Sequence, residues 1–416
     1  MYQARFLHAV FSNTTFKHSS LREADFYKSV CTKLHFEKVD LTNVTFNDSQ
    51  HDQMTIDASA LEGACFLHAQ MKNSLIKNAD LTNCILADAK MQLRFTNCTE
   101  PKFTKPVVAL TWSFNNRLHY AGEIRKAIKE QGALVMPFEI FSEDVDVQLL
   151  TQEVERKIEL LDQKTLQTFL SRGEYLVSDL QSWSLLSQMH KRAESITEAS
   201  HAVILSGGDD VEPIFYNGTT TFLASGADCR RTVLEFMVLK EVLAKQRPLL
   251  GTCRGSQVVN VYLGGTLKTV GPQKGVKEFE YTSEDVEAKS IQNLLQNAEL
   301  WGFSAHHQAV DQLGDSLKII AKDGEIPKLM MGRKNGASIL LTQFHPEIYL
   351  SVLEIEKEIE RYSKQLLDLD PSYPNREIQE RLEYLRELRE RFRKVKMHKK
   401  FYEHFLAQIP QNMFIA

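Results

Sequence analysis

One cysteine of the chain lies in a setting that favours nucleophilic chemistry. Cys253 follows the apolar segment 248–250 and stands between Gly251 and Gly255 in a G-x-C-x-G turn. An apolar helix is predicted to begin directly after the cysteine, and the positive end of a helix dipole favours a thiolate. Glycines flank a nucleophile where the turn is tight and neighbouring backbones approach closely. Cys253 is therefore the candidate nucleophile.

A histidine with a carboxylate two residues later supplies the other groups that cysteine acylation requires. His345 follows an apolar segment, and Pro346 fixes the backbone between His345 and Glu347. The base must accept and return a proton, and it needs an acceptor that orients its ring. We predict Cys253 as nucleophile, His345 as general base and Glu347 as the orienting carboxylate.

Backbone N–H groups near these residues predict an oxyanion hole. The N–H of Arg254 begins the predicted helix, and Gly207 and Gly208 form a turn after the apolar segment 202–205. Such donors stabilise the charge on a carbonyl oxygen under attack. This chemistry needs no metal or other cofactor. The pair His306-His307 lacks the cysteine or carboxylate cluster that would complete a metal site.

The elements that must position these groups are those of an α/β domain. Lys105–Leu110 is a predicted buried strand, and Tyr120–Gln131 is a predicted amphipathic helix. Ala133–Met136 is the next predicted strand, which we expect Pro137 to end. This order predicts a parallel sheet. Residues 142–198 are interpreted as charged helices. Further strands are predicted at Ala202–Leu205, Pro248–Gly251, Ser316–Ala321 and Ser338–Phe344.

The first hundred residues repeat every five residues. Every fifth residue from Phe6 to Met91 is apolar except His51, and a second column of mostly small residues stands two positions earlier. A period of five fits neither a strand nor a helix, but it fits a square coil with four repeats per turn and two residues of each repeat inside. We expect a bulge or a loosened coil at 51–54, where the column is interrupted.

The end of the chain is predicted to be helical. One apolar stripe runs from Val352 to Leu366, and a second runs from Ile378 to Val395, with Pro371 and Pro374 between them. The two stripes predict a helical hairpin.

Two regions of the chain each resemble a known protein family. Ala24-Asp25-Phe26 and Ala79-Asp80-Leu81 resemble the A(D/N)LXX pattern of pentapeptide-repeat proteins, which implies a right-handed quadrilateral β-helix. The central region resembles the gamma-glutamyl hydrolase branch of the class I glutamine amidotransferase superfamily, gamma-glutamyl-aminobutyrate hydrolases especially. That resemblance rests on five stretches in family order: Gly207–Pro213 with Tyr216, Asp228–Arg231 with Glu235, Pro248–Leu267, Ser304–Val310 and His345–Glu347.

The two resemblances, together with the apolar stripes at the end of the chain, predict three parts. They are a pentapeptide-repeat β-helix (1–100), a flavodoxin-like α/β class I glutamine amidotransferase-like hydrolase domain (105–350) and a helical C-terminal extension (351–416). The resemblance implies Cys253, His345 and Glu347 as a catalytic triad that hydrolyses a gamma-glutamyl amide through a thioester. Arg254, Gln257 and His307 are the candidate substrate contacts.

Three departures from the family stand out. The helical stretch 142–198 is longer than the family has there and would form a cap over the cleft. Pro327 stands where the family has an acidic residue, which bears on substrate binding. The two flanking regions are not part of a small-molecule hydrolase of this type.

We therefore predict a cysteine hydrolase acting on glutamine or a gamma-glutamyl compound, either small or linked to protein. An acyl transferase would use the same thioester, and a non-enzymatic scaffold would use the two flanking regions. A net charge of -4, and nearly balanced charge in the repeats, disfavour nucleic acid and DNA mimicry as partners. The start of the chain has no secretory pattern and no apolar run of membrane length is present, so we expect a cytoplasmic protein without a membrane partner. A homodimer would form through the repeats or the C-terminal helices.

Overall fold

The computed structural model describes most of the chain, in these ranges: 4–87, 90–113, 121–139, 148, 150, 152, 187–216, 228–282, 286–295, 299–367 and 376–413. The predicted cap at 142–198 lies largely outside them, and its last part is helix α2 (Ser187–Glu198). Among the described residues no helix has the length and apolar character needed to cross a membrane.

The N-terminal repeats form short strands that pair in parallel. These are β1 (Val10–Ser12), β2 (Thr15–Lys17), β3 (Val30–Thr32), β4 (His35–Glu37), β5 (Gln50–Asp52), β6 (Thr55–Asp57), β7 (Gln70–Lys77) and β8 (Lys90–Thr96). Partners lie twenty residues apart, as in Val10 opposite Val30 and Val30 opposite Gln50. An offset of twenty is four five-residue repeats, which fits one turn of a four-sided coil.

The interior and the corners of the repeats follow the five-residue period. Phe26, Phe46 and Phe66 stack with ring centroids 4.9 and 4.8 Å apart. One residue per repeat, beginning at His8, has a positive φ near 50°. Asn, Asp and Gly tolerate that conformation best, which explains why polar residues recur at the same place in the period.

The prediction of a bulge or a loosened coil at 51–54 is wrong. β5 pairs in regular register with both β3 and β7, and His51 is 2% exposed. The ring of His51 fits because its Nε2 lies 2.7 Å from Ser49 Oγ and its edge packs on the face of Phe46. The register shift in this region lies instead between β7 and β8, after Met71.

A second sheet of nine strands forms the centre of the molecule. Its strands are β9 (Val107–Trp112), β10 (Leu134–Glu139), β11 (Ala202–Leu205), β12 (Leu249–Thr252), β13 (Leu267–Tyr281), β14 (Leu300–Val310), β15 (Leu317–Asp323), β16 (Ile326–Lys334) and β17 (Ala337–Thr342). Their spatial order is β10-β9-β11-β12-β17-β16-β15-β13-β14. The first five are parallel, as predicted. The four beyond β17, which include the predicted strand at 316–321, are antiparallel, so the prediction of a parallel sheet holds for only part of it.

Pro137 does not end its strand, contrary to the prediction. β10 continues through Pro137 to Glu139, and among the described strands it pairs only with β9. Proline lacks an N–H and is tolerated on an edge strand. The open side is covered by the repeats, since Asn47 donates its side-chain amide to the Pro137 carbonyl at 2.7 Å.

Helices cover both faces of the sheet. They are α1 (Ala121–Glu130), α2, α3 (Cys229–Ala244), α4 (Arg254–Tyr262), α5 (Val286–Leu294), α6 (Tyr349–Leu367), α7 (Arg376–Phe392) and α8 (Lys399–Leu406). One buried apolar cluster joins α2, α3 and α4 to the sheet, and another joins α1, α5 and α8 to it.

The C-terminal region packs on the sheet as well as on itself. The second predicted helix ends at Phe392, not beyond Val395, because Arg393–His398 is a 3-10 helix. α6 and α7 contact each other, and Phe401 and Tyr402 of α8 lie in the core of the sheet. Contacts therefore cross the predicted domain boundary at 350.

Candidate functional site

Cys253 lies at a sharp turn between a buried strand and a helix. It follows β12 and caps the N-terminus of α4 with φ 51° and ψ -111°. Its N–H donates to the Thr342 carbonyl at 2.6 Å, and its own carbonyl accepts from the Ser256 hydroxyl at 2.7 Å. A non-glycine residue in this conformation is strained by about 1–3 kcal/mol, and such strain concentrates at functional sites.

The glycines on each side of Cys253 are required by space, as predicted. A Cβ on Gly255 would lie 2.0 Å from the Leu205 carbonyl oxygen. A Cβ on Gly251 would lie 2.8 Å from the backbone of Gly255. Neither strand nor helix can withdraw without breaking the sheet, so only glycine fits at either position.

His345 and Glu347 lie beside Cys253, where β17 ends next to β12. His345 Nδ1 is 2.8 Å from Glu347 Oε1, and His345 is hydrogen bonded to Cys253. All three residues are buried, with Cys253 5% exposed. Because Nδ1 faces the carboxylate, Nε2 is the nitrogen that can exchange a proton at the sulfur.

The surroundings of His345 favour its charged form. Burial alone lowers the pKa of a histidine. The charges of Cys253 and Glu347, together with hydrogen bonds to both, outweigh burial and raise the pKa of His345 to about 10. His345 is therefore an imidazolium at neutral pH, and it has a proton ready for a leaving group.

A tyrosine far along the chain also contacts Glu347. The Tyr402 hydroxyl donates to Glu347 Oε2 at 3.4 Å, so His345 and Tyr402 engage different oxygens of one carboxylate. Both Tyr402 and Glu347 are fully buried. No pattern in the sequence connects position 402 with the site.

Gly207 and Gly208 follow β11 at the same edge of the sheet as Cys253. Arg231 donates from Nη2 to the carbonyls of Ser206 and Gly207, at 2.9 and 3.0 Å. Within a trans peptide the C=O and the next N–H point in opposite directions, so the N–H of Gly208 points away from Arg231. Gly208 has φ 141°, a conformation that favours glycine.

The side chain of Arg254, a predicted substrate contact, lies inside the protein. It is 1% exposed, pairs with Glu235 and donates to Thr232 Oγ1 at 2.7 Å. Arg231 shares Glu235 at 2.9 Å. The signal for this network was present in the sequence as an Arg-x-x-x-Glu pair, Arg231 and Glu235, in the first half of α3. The backbone N–H of Arg254 keeps its predicted place at the start of α4.

The two other predicted substrate contacts hold the site together. Gln257 is 2% exposed and donates to the Gln308 carbonyl at 2.6 Å and to Gln343 Oε1 at 3.1 Å. His307 is partly exposed, and its Nε2 lies 2.8 Å from Asp210 Oδ2. The structure thus places Gln257 inside the protein and His307 beside the loop that contains Gly207, Gly208 and Asp210.

The neighbouring histidine contacts a cation. His306 Nδ1 lies 3.0 Å from the Gln308 carbonyl, and His306 Nε2 lies 2.9 Å from Lys328 Nζ. Both ring nitrogens are thereby engaged. Within the described residues, the group of His, Cys, Asp or Glu side chains that lie close enough to share a metal ion is His190, Glu194 and Glu241, on α2 and α3.

Comparisons with known proteins agree with the two resemblances. Residues 183–347 match the family described as Peptidase C26, and residues 3–48 match Pentapeptide repeats in eight copies. A Mycobacterium tuberculosis protein named "Putative glutamine amidotransferase" is 33% identical over 201 residues, 44% of this chain and 60% of that protein. A Lactococcus lactis protein named "Putative glutamine amidotransferase-like protein" is 29% identical over 38% of this chain and 70% of its own length.

The chain thus spans less than two thirds of the mycobacterial relative. A solved glutamine amidotransferase from Thermotoga maritima covers 73% of this chain and 99% of its own, with 15% identity and a TM-score of 0.38.

Proposed function

We propose that this protein is a cysteine hydrolase of gamma-glutamyl amide bonds. The proposal starts from a chain that carries N-terminal pentapeptide repeats and a Peptidase C26, glutamine amidotransferase-like domain over residues 183–347. The family indicates cysteine-dependent amide hydrolysis, and the gamma-glutamyl substrate, either glutamine or a larger compound, is the finer proposal. The observation that supports it most is the hydrogen-bonded series Cys253, His345 and Glu347 at a strained turn.

Acylation begins with attack of the Cys253 thiolate on the amide carbonyl carbon. The C=O electron pair moves to oxygen, where the N–H groups of Arg254 and Gly208 stabilise the negative charge. His345 then gives its Nε2 proton to the leaving nitrogen as the C–N bond breaks. Ammonia or an amine departs, and the acyl group remains on sulfur as a thioester.

Deacylation reverses these roles. Water attacks the thioester carbonyl carbon while neutral His345 takes one of its protons. The C–S bond breaks, the acid product leaves, and the thiolate–imidazolium pair is restored. An amine in place of water would give acyl transfer by the same steps.

Covalent labelling tests the proposal, because a glutamine-derived diazo-ketone alkylates an activated thiolate in a glutamyl pocket. Cys229→Ala is a matched control, since Cys229 and Cys253 are both 5% exposed and lie in the same domain. We expect one adduct per chain, by intact mass, on the native protein and on Cys229→Ala, and none on Cys253→Ala. An adduct that persists in Cys253→Ala, or no adduct on any form, contradicts the proposal and favours the scaffold alternative.

We also propose that the repeats form a right-handed four-sided β-helix and that α6 and α7 form a hairpin. The twenty-residue pairing offset supports the former. Contacts between α6 and α7, including Arg381 with Glu358 at 3.5 Å, support the latter.

A further inference from the structure

A lysine lies fully buried behind the candidate nucleophile. Lys328 of β16 has no solvent exposure, and its Nζ lies 2.9 Å from His306 Nε2 and 3.1 Å from Ser304 Oγ. The ammonium also lies 5.4 Å from the ring centre of Phe279. A charge withdrawn from water in this way is costly unless it is paired.

The contacts of Lys328 provide no counter-charge. Burial, and then the charge of Lys328, lower the pKa of His306 to about 3, so His306 is neutral. Its Nδ1–H donates to the Gln308 carbonyl, which leaves Nε2 to accept from Lys328. Ser304 is neutral as well. Over the parts of the chain that the structure describes, no carboxylate lies within 4 Å of this ammonium.

Gln343 connects Lys328 with Cys253. The backbone N–H of Gln343 donates to the Lys328 carbonyl at 2.9 Å, and its side-chain nitrogen lies 3.9 Å from Cys253 Sγ. β16 pairs with β17, and β17 pairs with β12, so Lys328 and Cys253 lie at the same end of three neighbouring strands. The charge of Cys253 opposes the fall in the pKa of Lys328. Two other charged groups act on Lys328 and pair with each other at 3.3 Å: Asp323, whose charge has the largest effect, raises the pKa of Lys328, and Lys277 lowers it.

We propose that Lys328 is a positioning residue whose buried positive charge, together with that of His345, holds Cys253 as a thiolate. The inference rests on the proposed function, since it concerns the same nucleophile. Its physical basis is that a thiolate beside an ammonium in a water-excluded site is stabilised, and the ammonium gains the negative partner that its own contacts lack. Lys328 directly follows Pro327, where the sequence departs from the family pattern.

This charge also has to remain in place at working pH. Burial lowers the pKa of Lys328 to about 8, with Asp323 and Cys253 opposing the shift. Lys328 therefore stays protonated at neutral pH and loses its charge as pH rises through about 8.

The test is the pH dependence of iodoacetamide alkylation at Cys253, measured by peptide mass on the full chain. Three variants are compared with the native protein: Lys328→Met, Lys328→Arg, and the control Lys318→Met on the neighbouring strand, where the side chain is exposed. In Lys328→Met we expect the midpoint of the rise in alkylation rate with pH to lie about one pH unit higher than in the native protein. Below the midpoint, this shift makes alkylation about tenfold slower. Lys328→Arg keeps most of the native profile, and Lys318→Met keeps all of it.

An unchanged midpoint in a folded Lys328→Met protein overturns the inference, as does an equal shift in Lys328→Arg. If Lys328→Met melts below the assay temperature, Lys328→Gln replaces it with the same expected shift. Failure of the inference leaves native Cys253 reactive, whereas Cys253 that resists alkylation in every form overturns the proposed function too.

Discussion

At the scale of single residues, the site is a series of buried groups that each constrain the next. Cys253 is held in its strained conformation by backbone hydrogen bonds to β17 and α4. His345 is held by Glu347, and Glu347 accepts from Tyr402. A carboxylate with both oxygens engaged keeps the imidazole in one orientation, which is what proton transfer at Nε2 requires.

Removing the Tyr402 hydroxyl should slow chemistry at Cys253 without unfolding the protein. In Tyr402→Phe, Glu347 loses one donor worth about 1 kcal/mol, so we expect about fivefold slower labelling by the diazo-ketone. Tyr349→Phe is the matched control, because its hydroxyl donates to Glu130 at 3.0 Å and not to Glu347. Equal slowing in both variants would show that Tyr402 acts through packing alone.

At the scale of elements, the regularity of the repeats comes from two features. Each repeat places one large and one small residue inside the coil, and one residue at its corner has a positive φ. His51 is the polar exception among the large inward residues between Phe6 and Ile76. It is accommodated as a neutral ring with one nitrogen on Ser49, and its Nδ1 is buried without a hydrogen-bond partner. The element therefore carries a pH-sensitive position in its core.

Acid should weaken the repeats through His51. Burial lowers the pKa of His51 to about 4, below the ordinary value of 6.5. Between these values the unfolded chain binds a proton that the folded chain does not, so stability falls as pH drops from about 6.5 to 4, by at most about 3 kcal/mol.

His51→Leu removes this contribution. We expect the free energy of unfolding, from urea denaturation at pH 7 and 4.5, to depend less on pH in His51→Leu than in the native protein. His35→Leu, on the exposed side of β4, should retain the native dependence. A native-like dependence in His51→Leu would place the acid response elsewhere.

At the scale of the whole molecule, the repeats cover the open edge of the central sheet. Asp48 and Arg192 form a half-buried ion pair with two hydrogen bonds, both 2.9 Å long. His68 adds a contact to Ser195 at 2.9 Å. Cys65, Leu67 and Ile85 join the apolar cluster of β10. An uncovered edge strand invites pairing with other chains, and here the repeats prevent it.

Breaking the Asp48–Arg192 pair should loosen this junction. Burial raises the pKa of Asp48, but Arg192 and His68 outweigh burial and hold the pKa well below its ordinary range. Asp48→Asn leaves the half-buried Arg192 without its counter-charge, which costs about 1–3 kcal/mol. We expect a lower Tm for Asp48→Asn and almost none of that loss for Glu62→Gln, whose partner Lys105 is exposed.

The pH dependence gives a second check on the same pair. Because the folded pKa of Asp48 is depressed, its contribution is present above about pH 4 and is lost as pH falls through the folded value. The difference in Tm between the native protein and Asp48→Asn should therefore shrink below pH 4. A constant difference would assign the loss to packing and not to charge.

The sequence by itself determined the features that depend on local backbone geometry. The five-residue period, the glycines around Cys253 and the His-Pro-Glu segment each specify a nearby conformation, and their neighbours in the chain suffice to predict it. For that reason the sequence predicted that Cys253, His345 and Glu347 lie together, as they do, while their catalytic roles stay a prediction. The parallel half of the sheet followed from alternating strands and helices.

Only the tertiary structure decided which distant residues complete these features. Lys328 and Tyr402 come to the site from an antiparallel strand and a C-terminal helix, and Pro137 is tolerated because β10 is an edge strand. His51 stays inside because its ring is hydrogen bonded to Ser49 and packs on Phe46. The side chain of Arg254 lies inside the protein because it pairs with Glu235. These contacts form between segments that are distant in the sequence, and they depend on the sum of many small packing and desolvation free energies. A local sequence pattern does not contain that information.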